Sequence, residues 1–190
     1  MSKFNKIQDP ISTFDEKYVK NNPNILNHII DKLKTGKPFH YLFTGVVGCG
    51  KTFLARNVVV ASQEQWEAIK VIDFYKKYLG LLGSSYDDKW QALKNQDSRV
   101  KNRLLVLDDL GDEKPSTEAA HDYFSGLIEM RYDYINKNPF TRTIITTNLD
   151  SKKLERMYGS RVYDRIQEHF IICKFKPISF RREKHKVLES

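Results

Sequence analysis

Gly45-Val46-Val47-Gly48-Cys49-Gly50-Lys51-Thr52 sets three glycines, a lysine and a hydroxyl within eight positions. That combination suits the wrapping of a polyphosphate. Glycines 45, 48 and 50 let the backbone turn so that successive N–H groups point inward, and a helix starting there adds its dipole. Lys51 reaches the β- and γ-phosphates, the Thr52 hydroxyl completes a Mg²⁺ shell, and Val47, Cys49 and Phe53 belong to the same expected contact set. A glycine turn between two core elements is the plainer alternative, and the flanks decide between them.

A phosphate loop by itself does not specify hydrolysis, which needs a metal-holding acid at the end of another strand. Leu104-Leu105-Val106-Leu107-Asp108-Asp109 supplies one. Asp108 is expected to hold Mg²⁺, usually through water, and Asp109 to orient or deprotonate the attacking water. The alternative is a pair of acids capping the turn before Gly111. Thr146-Thr147-Asn148 brings an amide to the same sheet edge, where Asn148 either meets the γ-phosphate or closes an Asx turn before Leu149-Asp150. Arg161 and Arg165 stand four apart in Leu154-Glu155-Arg156-Met157-Tyr158-Gly159-Ser160-Arg161-Val162-Tyr163-Asp164-Arg165-Ile166, on one face of an expected helix. Each could stabilise phosphoryl-transfer charge or stand as a solvated helix charge, the latter favoured for Arg161. Arg181 and Arg182 come after the last strand, again near the phosphate edge.

These residues need a scaffold that brings them to one edge, and the hydrophobic pattern provides it. Phe39–Phe43 reads as a first strand before the loop, and Phe53–Val59 as the helix after it. Asn24–Leu33 is a helix ahead of both, stopped by Gly36-Lys37-Pro38. Ala68–Phe74, Arg103–Leu107, Thr143–Thr147 and Phe170–Phe175 read as further strands, with a helix start at Tyr75–Leu82 and a long helix over Thr117–Asn136. Strands alternating with helices imply an α/β fold, a parallel sheet covered on both faces.

The 190 residues fit one domain, with a 1–22 arm or lead-in, a 23–182 body and a basic 183–190 tail. Lys and Arg number 32 against 24 Asp and Glu, a formal charge of +8, and the pI is near 9.3. A polyanionic partner fits that balance, and so does basic solubility. Cys49 and Cys173 form neither a disulfide framework nor a metal-ligand spacing, so free thiols in a reducing compartment are expected. Met1–Pro10 has no apolar stretch and no segment approaches bilayer-spanning length, so the expected location is cytoplasmic, away from membrane.

The ordered set GVVGCGKT, LLVLDDLG, TTNLD, YGSRVYDRI and SFR resembles the AAA+ ATPases of the DnaC/IstB type, helicase loaders and transposition helpers, over roughly residues 12 to 182. The resemblance implies a P-loop NTPase of AAA+ type with a five-stranded parallel sheet, helices on both faces and no separate C-terminal lid domain. It implies ATP as the nucleotide, Asp108 as the Walker B acid, Asp109 as the catalytic carboxylate and Asn148 as the sensor-1 residue. Arg165 becomes an arginine finger acting across a subunit interface, and Arg181 the sensor-2 arginine, with Arg182 as its alternative. ATP-bridged self-assembly around DNA, single-stranded for loaders and duplex for helpers, is implied too, with a replicative helicase or a transposase as protein partner.

Two departures qualify this. Loaders usually carry a helicase-binding module before the ATPase core, where little more than ten residues precede the lead-in here, and that counts against the replicative helicase as partner. Aspartate at 109 stands where AAA+ enzymes more often have glutamate; its shorter reach predicts slow hydrolysis, as in a switch. Tyr75, Lys76, Lys77 and Tyr78 offer cations beside aromatics for single-stranded DNA, and Arg181 to Lys186 a second basic patch. The first reads equally as solvated lysines beside core aromatics, and the second as a solvated end. Two other functions stay open: a phosphotransferase on the same loop, and a nucleotide-stabilised adaptor without turnover.

Overall fold

The computed structural model describes residues 22–62, 66–70, 103–112 and 118–180. Pro23 opens α1, Pro23–Lys34, where a missing N–H costs nothing and φ is already set for a helix. Its apolar stripe buries Leu26, Ile29 and Ile30, Lys32 and Lys34 sit at the negative end of its dipole, and Gly36 leaves it at φ +65°. The chain then enters β1, Phe39–Thr44, crosses the glycine loop and begins α2, Lys51–Ser62, at the lysine of that loop.

The remaining elements are β2 (Trp66–Lys70), β3 (Leu104–Leu110), α3 (Glu118–Lys137), β4 (Arg142–Thr147), α4 (Ser151–Tyr158), α5 (Ser160–His169) and β5 (Ile171–Lys174). The strands form one sheet in the order β2-β3-β4-β1-β5, every pairing parallel. All five C-terminal strand ends therefore share one edge.

Alternation along the strands divides the core in two. Leu42, Leu105, Leu107 and Ile145 pack with Leu127, Leu154, Val162 and Ile166 of α3, α4 and α5. Tyr41, Phe43, Leu104, Val106 and Ile144 face the other way, onto Leu26 and Ile29 of α1 and Leu54 and Val58 of α2. Helices thus cover both sheet faces, as parallel strands with two apolar sides require. Truncating a residue such as Leu105, fully buried between layers, would cost about 2–5 kcal/mol.

Strand β4 is buried along its whole length although it holds three threonines. Each hydroxyl has a partner: Thr143 accepts from Arg131 Nε at 2.9 Å, Thr146 donates to Asp108 Oδ1 at 2.7 Å, and Thr147 donates to the Leu110 carbonyl at 2.7 Å. Buried hydroxyls are tolerated because they are satisfied. Arg131, only 1% exposed, also donates to the Arg142 carbonyl at 2.7 Å. Burial pulls its pKa down to about 10, which leaves it charged at neutral pH. It therefore stitches α3 to the start of β4.

Several boundaries differ from the sequence expectation. β2 begins at Trp66 rather than Ala68, and the expected continuation to Phe74 lies outside the described residues, as does the Tyr75–Leu82 helix. β3 continues past Leu107 to Leu110, carrying Asp108 and Asp109 inside the strand. β5 is shorter than Phe170–Phe175. The arginine-bearing helix is divided at Gly159, φ +83°, into α4 and α5, and both Arg161 and Arg165 fall on α5.

Candidate functional site

The glycine loop connects β1 to α2 at the C-terminal edge of the sheet. Gly45, Gly48 and Gly50 have φ of +156°, +82° and +97°. At Gly45 an added Cβ would lie 3.0 Å from both Cys49 Sγ and Phe175 Cβ, so the loop's first corner leaves no space for a side chain. The loop is tied down from the far end of the domain: Phe175 N–H donates to the Thr44 carbonyl at 2.8 Å, and Phe180 N–H to the Gly48 carbonyl at 3.1 Å.

Lys51, 5% exposed, turns its ammonium back over the loop. It donates to the carbonyls of Gly45 and Val46 at 2.9 and 3.0 Å and to Asn148 Oδ1 at 2.8 Å. The chain just after Asn148 is tied down at Leu149. Thr44 Oγ1 donates to the Leu149 carbonyl at 2.7 Å, and Leu149 N–H donates to Thr147 Oγ1 at 3.0 Å.

Across the cleft, Asp108 is 5% exposed, and one of its oxygens accepts from Thr52 Oγ1 at 2.9 Å and Thr146 Oγ1 at 2.7 Å. The next residue breaks the ladder. Leu107 pairs with Ile145 but Leu110 with Thr147, so three steps on β3 match two on β4. The bulge places Asp109 at φ +59°, the left-handed region that a non-glycine residue seldom adopts, and its N–H donates to Thr146 Oγ1 at 2.9 Å. Thr146 thereby accepts from one acid's backbone and donates to the other's carboxylate. Consecutive strand residues normally face opposite ways; the bulge lets Asp108 lie behind Thr52 while Asp109 lines the cleft.

That cleft is a cavity of about 360 Å³ bordered by Val47, Gly48, Gly50, Lys51, Thr52 and Phe53 on one side and Asp109, Asp112, Asn148 and Phe180 on the other. Its volume falls in the range of small-ligand and cofactor sites. Backbone amides at a helix start, an ammonium and a hydroxyl make one wall suited to phosphate; carboxylates and an amide make the other suited to water and metal. Thr52 Oγ1 and Asp108 are hard oxygen donors within hydrogen-bond distance of each other, a donor pair that fits Mg²⁺.

The structure thus gathers Gly48, Gly50, Lys51, Thr52, Asp108, Asp109 and Asn148 at one place, with Val47 and Phe53 on the rim. Gly45 forms the loop's base, and the Cys49 side chain, 1% exposed, packs in the core. Arg165 is elsewhere in the chain. Its Nη1 lies 2.7 Å from Glu129 Oε1, and its guanidinium sits 5.0 Å over the Tyr132 ring. Arg181 and Arg182 lie outside the described residues, as do Tyr75–Tyr78 and the tail. Two lining residues went unnoticed in the sequence. Asp112 is brought round by a turn in which its N–H donates to the Asp109 carbonyl at 3.2 Å, for which the close spacing of four acids around Gly111 is the available signal. Phe180 has no sequence signal that separates it from a core aromatic.

Comparison with known proteins bears on the same region. A family model described as "ATPase family associated with various cellular activities (AAA)" matches residues 41–172. No curated protein sequence matches. Among solved structures, a DnaC helicase loader aligns with TM-score 0.64 at 23% identity, covering 85% of this chain and 100% of that one. DnaA from Aquifex aeolicus bound to AMPPCP aligns with TM-score 0.62 at 16% identity over 98% of this chain and 57% of that one. A replication initiator DnaA bound to AMPPCP and single-stranded DNA gives 0.64 at 18%, over 98% and 56%. The chain therefore spans the whole of the loader structure and little more than half of the initiators. At these identities the likeness is one of fold.

Proposed function

The chain belongs to the ATPase family associated with various cellular activities (AAA), and from that membership we propose that it is an ATP-hydrolysing switch that assembles on DNA and loads a replicative helicase. The observation that carries the hydrolytic part is the convergence of Thr52 and Thr146 on Asp108, with Asp109 turned toward the same cleft by the bulge beside it. A loop that merely held nucleotide with its Mg²⁺ would have a use for Asp108 but none for Asp109. The loader and initiator structures of similar fold support the choice of DNA as partner, as does the charge of +8.

The residues divide the chemistry between them. The amides of Gly48 and Gly50 and the Lys51 ammonium bind and orient the β- and γ-phosphates of ATP. Thr52 and Asp108 would hold Mg²⁺, which would supply charge neutralisation for the phosphate oxygens. Asp109 accepts the proton of the attacking water, and Asn148, joined to Lys51, holds that water or the γ-phosphate in line. Arg165 acts on the ATP of a neighbouring protomer, which makes turnover depend on assembly. Arg181, one residue beyond Phe180 and its bond to Gly48, is read as a second phosphate contact.

The test is the rate of ATP hydrolysis across a protein titration, alone and with single-stranded or duplex DNA. A loader shows turnover that rises with protein concentration and responds to the single strand. A response to duplex alone would move the assignment to a transposition helper. Indifference to concentration and both DNAs would overturn the switch and leave a phosphotransferase, to be sought with a panel of hydroxyl acceptors.

A further inference from the structure

Glu129 on α3 is met by two arginines from α5. Arg165 Nη1 is 2.7 Å and Arg161 Nη2 3.3 Å from the same oxygen, Glu129 Oε1. The two arginines differ in setting: the Arg161 side chain is 75% exposed, that of Arg165 21%. Arg165 also lies over Tyr132, and Tyr132 is itself fixed, its hydroxyl donating to Glu168 Oε2 at 3.1 Å and its ring 4.8 Å from that of His169. The short Arg165–Glu129 approach is an ion pair without hydrogen-bond alignment at Nη1, so the ring and the carboxylate hold the guanidinium together, by stacking and by charge.

A transition-state arginine must arrive within a few tenths of an ångström, which a long side chain achieves only when its own surroundings lock it. Extending this reasoning from the proposed action of Arg165 on a neighbour's ATP, on which it rests, we propose that Glu129 is the positioning residue for that arginine. The Glu129 carboxylate and the Tyr132 ring fix the guanidinium, and a phosphate oxygen is received through the part of the side chain that stays exposed. Arg161 has a separate part. It brings a second cation to the Glu129 carboxylate, which offsets part of the negative charge that touches the working arginine.

The experiment measures ATP turnover of the full chain across a protein titration for Glu129→Gln, Glu129→Asp, Tyr132→Leu and Arg165→Ala. Binding of a fluorescent ATP analogue and thermal melting are followed alongside. Glu129→Gln is expected to lower maximal turnover about ten-fold while analogue affinity stays within about two-fold of wild type. Glu129→Asp recovers part of the loss, and Tyr132→Leu reproduces it, with melting in each case showing a folded protein. Wild-type turnover in Glu129→Gln beside an inactive Arg165→Ala would overturn the positioning role and leave the arginine's action intact. Raised turnover in Glu129→Gln would overturn it too, since Glu129 would then restrain Arg165. Full turnover in Arg165→Ala would overturn the underlying reading along with the proposal.

Discussion

The Lys51 ammonium lies 2.8 Å from the Asn148 side-chain oxygen, joining residues 97 positions apart in the chain. One is the first residue of α2 and the other directly follows β4, so the contact couples the phosphate loop to the strand that also holds Thr146 and Thr147. A group that touches the loop lysine on one side and faces the cleft on the other can sense what the lysine holds.

Asn148→Ala is therefore expected to lower maximal turnover by about 10- to 100-fold while ATP-analogue affinity changes only a few-fold. Lys51→Ala, by contrast, removes the cation itself and should abolish binding. Parallel binding and rate measurements on the two variants check the separation.

Asp109→Asn keeps size and shape but removes the proposed base. Turnover should fall by about 10²- to 10⁴-fold with nucleotide still bound. Single-turnover hydrolysis, which isolates the chemical step, is the measurement. If DNA association by this variant persists with ATP and disappears without nucleotide, binding drives assembly and chemistry resets it.

Thr146→Val removes at once the donor to Asp108 and the acceptor of the Asp109 N–H. Both groups lie in or beside the core, so a loss of about 1–3 kcal/mol is expected, seen as a melting temperature lower by about 2–12 °C. Thr147→Val, which forfeits the bond to the Leu110 carbonyl and the bond from Leu149 N–H, should leave Asp108 in place and turnover closer to wild type. Melting and rates on the pair distinguish damage to the acids from damage to the strand.

His40 carries a pH dependence remote from the cleft. Its pKa falls to about 4, chiefly through burial and then through the nearby charges of Arg131 and His169. The folded protein thus binds its proton less readily than the unfolded chain, whose histidine has a pKa near 6.5. This contribution to stability is complete above pH 6.5 and is lost as pH falls toward 4. After allowance for partial exposure it is on the order of 1 kcal/mol. Melting temperatures between pH 7 and 4.5 should fall less steeply in His40→Gln than in wild type.

The phosphate wall was legible because a phosphate loop is local: its glycines, lysine and threonine are adjacent in sequence, and a strand and a helix flank them. Asp108 was legible for the same reason, at the end of an unbroken apolar run. The left-handed Asp109 was not, because the bulge arises from pairing with β4, a contact 37 residues distant in sequence. Arg131 illustrates the same limit. In the sequence it is one more basic residue in a long helix, and its burial against β4 is decided by how that helix lies on the sheet. Arg165 was found as a position but not as a member of a cluster, since Glu129 and Tyr132 reside on another helix.

The central claim is that an active site is shared between protomers, with Lys51 from one chain and Arg165 from the next. Mixing tests it most directly. Lys51→Ala and Arg165→Ala should each be inactive alone, the first for want of a phosphate contact and the second for want of the arginine. Combined in equal amounts, they should regain turnover, because an Arg165→Ala loop beside a Lys51→Ala neighbour is a complete site; random adjacency makes roughly a quarter of the interfaces so. Recovery on mixing is the predicted result. A mixture as inactive as its components, under conditions where wild-type protein assembles and turns over, would contradict the shared site.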